Sequence, residues 1–217
     1  MAHFLKSSVS VPVTRSTTIT LWGGGPKPTY EELDVVPLTA GIVRVAKDRT
    51  STGAGDPHNH YWEITGLKPG VTKLDALTLT KLSFAPPMEV TVTGRIKIKL
   101  EANGEGTLEC VGLGTFKVLG QPGRDYPQDL TVFPSDKERL HISVEFDGIA
   151  MPWAIRIWGQ KGIYVHEMPD NLADNGGSPS AGCIHLSQTN APKAYDYVQT
   201  KTRVTIEAPW LKKKKTP

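Results

Sequence analysis

Short runs rich in β-branched and aromatic residues, separated by glycine and proline clusters, dominate this chain as far as residue 160. Such runs are typical of strands joined by turns, and the 21 glycines and 17 prolines argue against a helical bundle. We predict strands at 9–21, 41–46, 60–65, 88–100, 107–119, 140–147 and 153–158. The sequence therefore predicts a mainly β fold.

One helix is expected late in the chain. Asn190 can serve as an N-cap with Pro192 in the first turn, and apolar residues then repeat at helical spacing. The repeating residues are Ala191, Ala194, Tyr195 and Val198. We expect this helix to pack on the sheet, so the fold class becomes β with one or two short helices.

The composition is that of a globular protein. With 217 residues, of which 38% are hydrophobic and 22% charged, the chain can form one large or two small domains. The net charge of +3 lies in the tail, because without Lys212–Lys215 the chain has 21 basic and 22 acidic residues. A neutral body argues against nucleic acid as a partner. No apolar run approaches the roughly 18 residues that span a bilayer.

A cysteine behind a glycine is the strongest chemical signal. The apolar run Gly162-Ile163-Tyr164-Val165-His166 is followed, after a loop of small and polar residues, by Ser180-Ala181-Gly182-Cys183. A thiol becomes a good nucleophile when a neighbouring base takes its proton, and His166 can be that base. Gly182 allows a tight turn whose backbone N–H groups can face a developing oxyanion. We therefore predict thiol acyl transfer.

The other cysteine, Cys110, offers the alternative that the two thiols form a disulfide. Cys110 lies in Thr107-Leu108-Glu109-Cys110-Val111, an alternating strand pattern in which a lone cysteine usually serves as a small hydrophobic residue. We therefore expect Cys183 to remain a thiol.

These motifs resemble a known family. The second half of the chain is similar to the L,D-transpeptidase catalytic domain of the YkuD family. The similarity is carried by Met151 to Trp158, Ile163 to His166, Ser180-x-Gly182-Cys183-Ile184, and then a helix and Thr202 to Ile206. That family's pattern is a histidine followed at a short interval by Ser/Thr-His-Gly-Cys. The resemblance is good over 150–207 and extends back to about residue 89. Two positions depart from the pattern: Ala181 replaces a second histidine, and His185 stands where Arg or Asn is usual.

The resemblance implies a function. It points to a peptidoglycan-modifying cysteine acyl transferase acting on tetrapeptide stems, as an L,D-transpeptidase, an L,D-carboxypeptidase or a D-amino-acid exchange enzyme, with no metal and no organic cofactor. Cys183 would be the nucleophile, His166 the base, and Gly182 part of the oxyanion site. The residues expected to bind substrate are Ser180, His185, Arg156 and Trp158. For Arg156, a surface salt bridge is an equally open alternative.

Location and partners follow from the same resemblance. A wall enzyme works in the periplasm or cell wall, yet Met1 to Thr20 lacks the basic, apolar and small-residue succession of a secretory signal. One hypothesis is delivery into a target cell by a contact-dependent secretion machine of the type VI kind, which would add an immunity protein as a partner. A phage lysis role is another.

Three alternatives remain open at this stage. The departures at Ala181 and His185 also fit an inactive peptidoglycan-binding module. A papain-like amidase is disfavoured because its cysteine precedes its histidine. His58 and His60 have a spacing that can ligate zinc, although an exposed loop explains them better because no third ligand is nearby.

The first part of the chain has a pattern of its own. Three segments resemble the closing strands of bacterial immunoglobulin-like domains: Tyr61 to Gly70, Leu74 to Thr80 and Pro87 to Val92. With a boundary at Ala85-Pro86-Pro87, we predict an immunoglobulin-like β-sandwich at 1–87, a YkuD-like β-sandwich catalytic domain at 88–209 and a basic tail at 210–217.

Overall fold

The computed structural model describes residues 3–23, 33–48, 58–78, 80–83, 85–144, 148–168 and 182–211. By density of internal contacts the chain divides into two compact units, Met1–Thr93 and Gly94–Pro217. Within the described residues the structure is mainly β, as predicted, and none of the helices there has the length and apolarity needed to cross a membrane.

The first unit contains two sheets. One has the order β1-β3-β6-β5, and the other has the order β4-β7-β8-β2, with only the first half of β8 taking part. The strands that begin in this unit are β1 (His3–Phe4), β2 (Ser8–Pro12), β3 (Ser16–Trp22), β4 (Leu33–Pro37), β5 (Val43–Lys47), β6 (Asn59–Gly66), β7 (Gly70–Thr78) and β8 (Met88–Leu100). The interpretation as an immunoglobulin-like domain stays a prediction.

Strict alternation explains why β8 is a strand from end to end. Every second residue from Met88 to Leu100 is buried, Gly94 among them, and the intervening positions are all polar. Residues 89–93 pair with strands of the first unit, whereas residues 94–100 pair with strands of the second. The predicted boundary after residue 87 lies immediately before this strand, whereas the division between the two compact units falls within it, after Thr93.

The second unit is built on a sheet with the order β11-β16-β8-β9-β10-β15-β14-β13-β12. Most neighbours are antiparallel, but β16 with β8 and β14 with β15 are parallel. Its further strands are β9 (Glu105–Cys110), β10 (Gly114–Leu119), β11 (Asp129–Val132), β12 (Lys137–Ile142), β13 (Ala150–Trp158), β14 (Ile163–Glu167), β15 (Ile184–Leu186) and β16 (Thr202–Glu207).

The predicted helix is present as α1 (Ala191–Tyr197), with the proline in its first turn. Its buried side chains, Ala191 and Ala194 among them, join the same core as Val165 of β14 and Ile184 of β15. Since side chains alternate along a strand, His166 and His185 lie on the opposite face of these strands from α1. The helix therefore packs on the face of the sheet opposite to the two histidines.

Three predicted strands were wrong in extent: β12 occupies Lys137–Ile142 where 140–147 was predicted, and the other two are broken by turns. The run 9–21 is broken by Thr14, which has a φ of 61° that no β-strand adopts. The run 107–119 is a hairpin, in which β9 turns into β10 at Gly112 with a φ of 84°. In both turns the flanking residues have the composition of strands, so the sequence pattern did not indicate the turn.

Candidate active site

Parallel pairing of β14 with β15 forms the centre of the candidate site. In this register His166 lies opposite His185, and Val165 lies opposite Ile184. Residues opposite each other in a ladder project on the same side, so the two histidines share one face. Their rings meet edge to face with centroids 4.7 Å apart. Both are almost fully buried.

Cys183 comes directly before β15 and is half-buried. It packs against Met151, Ala154 and Tyr164, a small apolar cluster separate from the main core. Its thiol donates a long hydrogen bond to the carbonyl of Gly162, with an Sγ–O distance of 3.9 Å. Cys110, in contrast, is fully buried in the core of the second unit, and the two cysteines do not form a disulfide.

The hydrogen bond of His166 determines its tautomer. Nδ1 lies 2.6 Å from the backbone oxygen of Glu167. A carbonyl oxygen only accepts, so Nδ1 must carry the hydrogen and the neutral ring keeps its lone pair on Nε2. His166 is thereby fixed in the form that can accept a proton at Nε2.

Burial keeps both histidines neutral. Loss of solvation, reinforced by His185 and His141, lowers the pKa of His166 to about 3, although the hydrogen bond to Glu167 acts in the opposite direction. Burial lowers the pKa of His185 to about 4. At neutral pH each ring is therefore uncharged and has one nitrogen that carries no proton.

The match to a family model covers most of the second unit. Residues 84–206 match the YkuD model, described as an L,D-transpeptidase catalytic domain. The chain belongs to the YkuD family. No curated protein sequence matches it.

Solved structures similar to this YkuD chain include several L,D-transpeptidases. One from Mycobacterium smegmatis has 17% sequence identity and a TM-score of 0.44, over 96% of this chain and 100% of the other. L,D-transpeptidase 1 from Mycobacterium tuberculosis has 17% identity and a TM-score of 0.42, over 94% and 96%. One from Stackebrandtia nassauensis has 17% identity and a TM-score of 0.41, over 53% and 57%.

The remaining residues expected to bind substrate are placed as follows. Ser180 and Ala181 lie outside the described residues. Arg156 donates from Nη2 to Asp136 at 3.2 Å, so it forms the surface ion pair that was the open alternative. Trp158 is half-buried, with Lys161 Nζ above its ring at 4.2 Å. The structure therefore places His166 opposite His185, with Cys183 two residues before His185, and it engages Arg156 elsewhere.

His58 and His60 lie in the first unit, where each ring contacts a tryptophan. Throughout the described ranges, no three His, Cys, Asp or Glu side chains are grouped closely enough to hold a metal ion. The zinc hypothesis thus gains no third ligand from the described part of the chain.

Two residues near the candidate site, His141 and Arg124, were not predicted to lie there from the sequence. His141 stacks on Tyr164 with centroids 4.5 Å apart, and its Nδ1 lies 2.8 Å from Glu138 Oε2. Arg124 lies against Gly182, whose φ of 139° is one that residues with side chains rarely adopt. The ring of His141 also lies close enough to His166 to lower the pKa of that histidine.

The buried neutral histidines predict a loss of stability in mild acid. In the unfolded chain a histidine takes a proton below about pH 6.5, whereas folded His185 stays neutral down to about pH 4. Stability is therefore complete above pH 6.5 and falls as the pH drops towards 4. Between pH 6.5 and 5 this histidine alone accounts for up to about 2 kcal/mol.

Urea unfolding at pH 7 and pH 5 measures this loss. His185→Gln should reduce the difference in unfolding free energy between the two pH values, while His3→Gln, at an exposed position, should keep the wild-type difference. An unchanged difference in His185→Gln would show that the folded protein does not hold this ring neutral.

Proposed function

We propose that this YkuD protein is a cysteine acyl transferase acting on peptidoglycan stem peptides, with Cys183 as nucleophile and His166 as base. The observation that carries the proposal is the shared face of β14 and β15, where His166 keeps a basic Nε2 and Cys183 immediately precedes the strand paired with it. The family match supports the substrate class.

The first half-reaction forms a thioester. His166 Nε2 takes the proton of Cys183, and Sγ attacks the carbonyl carbon that joins the third residue of the stem to D-alanine. When the tetrahedral intermediate collapses, the carbon–nitrogen bond breaks and the proton passes from His166 to the leaving amine. D-Alanine departs. Because burial disfavours the imidazolium, this ring returns its proton readily, which favours collapse towards the acyl enzyme.

The oxyanion of that intermediate needs donors beside the cysteine. The backbone N–H groups at Gly182 and Cys183 are the candidates, because Gly182 adopts a φ of 139° where the chain turns into β15. This positive φ supports the assignment of Gly182 to a tight turn at the nucleophile.

The second half-reaction releases the acyl group. An amine acceptor forms a cross-link or, if it is a free D-amino acid, an exchanged stem, whereas water gives carboxypeptidase trimming. Each acceptor attacks the same thioester carbon and gives Cys183 back as a thiol.

Purified muropeptides with tetrapeptide stems test the proposal directly. We expect mass spectrometry to show loss of D-alanine with formation of tripeptides, dimers or exchanged stems, and to show a covalent adduct of the protein. A folded protein that binds the muropeptides but gives neither product nor adduct would instead be the binding module left open by the sequence.

A further inference from the structure

The guanidinium of Arg124 lies directly against the residue before the nucleophile. A Cβ atom added to Gly182 would lie 3.1 Å from Cζ of Arg124 and 3.3 Å from Nε and Nη2. Contacts this short leave no room for a side chain at position 182 unless the guanidinium moves. The absence of a side chain at Gly182 thus allows a positive charge to approach the backbone beside Cys183.

The segment that carries Arg124 is held at both ends of its turn. The indole Nε1 of Trp210 donates to the Arg124 carbonyl at 2.7 Å. Gln121 donates its backbone N–H to the hydroxyl of Tyr126 at 2.8 Å, and Tyr126 is buried. Burial raises the pKa of Tyr126 to about 12, and the charges of Cys183 and Arg124 also act on it. The backbone that carries Arg124 is therefore held in place, with its guanidinium against Gly182.

In the part of the chain that the structure describes, Arg124 has no ion pair with an acidic side chain. Its Nε is buried and has no hydrogen-bond acceptor among the described residues. Other arginines near this sheet differ, since Arg156 pairs with Asp136 and Arg203 pairs with Asp129. A partly buried guanidinium without an anion is unfavourable, so a ligand that supplies one would be bound well.

A cavity of about 340 Å³ opens beside this guanidinium. Two cations line it, Arg124 and Lys161, together with one carboxylate, that of the exposed Asp125. Lys161 precedes Gly162, whose carbonyl accepts the hydrogen bond of the Cys183 thiol. The cavity is thus lined by Arg124, which lies against Gly182, and by Lys161, which precedes Gly162, and it is large enough for one amino acid.

We propose that Arg124 is the specificity-determining residue of the site and binds the free carboxylate of the leaving D-alanine. The inference rests on the proposed function. The carboxylate of a terminal D-alanine lies one residue beyond the scissile carbonyl, and Arg124 lies beside the residue next to the nucleophile. The planar guanidinium can hold a carboxylate by two parallel hydrogen bonds. The chain thereby selects stems that end at this residue.

The test compares a stem peptide ending in D-alanine with the same peptide ending in D-alaninamide. Arg124→Gln should lower kcat/KM on the acid by about 10- to 100-fold, as expected for a lost charged hydrogen bond, and should leave kcat/KM on the amide nearly unchanged. Arg124→Lys should recover part of the preference for the acid. Arg203→Gln, the same change on an exposed arginine of β16, should behave as the wild type.

A binding measurement separates recognition from chemistry. Cys183→Ala protein should bind the acid more tightly than the amide, and the double variant with Arg124→Gln should bind the two equally. Equal losses on acid and amide, together with slower alkylation of Cys183 by iodoacetamide, would mean that Arg124 activates the thiol instead and would overturn the proposal. A wild-type protein that cleaves neither peptide would overturn the proposed function itself, and this inference with it.

Discussion

Replacing Cys183 by alanine is expected to abolish turnover of tetrapeptide stems, with a loss of about 10⁴- to 10⁶-fold. The sulfur is the atom that we propose to bond to substrate, and no other group of the site can take its place. The fold should survive, because Cys183 is half-buried and contacts only a small apolar cluster. Product formation followed by mass spectrometry gives the activity, and circular dichroism gives the fold.

Cys110→Ala is the matched control. Burial and the nearby Glu109 raise the pKa of Cys110 to about 12, so its thiol stays protonated and unreactive. The variant should keep near wild-type activity at a temperature where it is folded. If both variants lost activity equally while folded, the chemistry would not depend specifically on Cys183.

His166→Ala is expected to slow acylation of Cys183 by about 10²- to 10⁴-fold, as is typical for loss of a general base. His185→Ala should keep measurable acylation. The reason is the hydrogen bond from Nδ1 of His166 to Glu167, which orients this ring and leaves Nε2 basic. The Nδ1 of His185, in contrast, is buried without a hydrogen-bond partner among the described residues. Covalent trapping by a carbapenem measures acylation without an acceptor.

The dependence of the acylation rate on pH tests whether a buried neutral histidine is the base at all. It should be nearly flat between pH 5 and 8, because the pKa values of His166 and His185 both lie below 5, so the two variants decide which ring acts. A dead His185→Ala variant beside a normally acylated His166→Ala variant would reverse our assignment of the base.

Local patterns were sufficient for much of the fold. Alternation predicted β6 and β8 almost to the residue, because one face of each strand is buried and the other is not. The proline and alanine spacing predicted α1. The apolar run ending at His166 predicted β14, and the glycine before Cys183 has the positive φ that its motif requires.

Strand β13 shows where local patterns fail. Trp153 and Trp158 are five residues apart, so strict alternation assigns them to opposite faces. Both nevertheless pack against the same core. Trp153 has a φ of 55° and β13 is irregular between Arg156 and Trp158, so the alternation is interrupted twice. Neither irregularity leaves a glycine or another signal in the sequence.

The residues that distant segments contribute to the candidate site could not be predicted, for a different reason. Arg124 lies in a turn between β10 and β11, and its meeting with Gly182 depends on the pairing of strands far apart in the chain. The stack of His141 on Tyr164 likewise depends on β12 joining β13. A glycine and proline near Arg124 indicate a loop, but not which loop faces the cysteine.

Because β14 and β15 pair in parallel, the position of the proposed catalytic face does not depend on the length of chain that joins the two strands. Strands paired in parallel are joined by a connection that is not part of their ladder, so the register of His166 with His185 is held by the ladder and by the core behind it. Closing a flexible loop twice as long costs only about 0.6 kcal/mol more. Insertions and deletions between the two motifs should therefore be tolerated during evolution, because they leave the register of the two histidines unchanged.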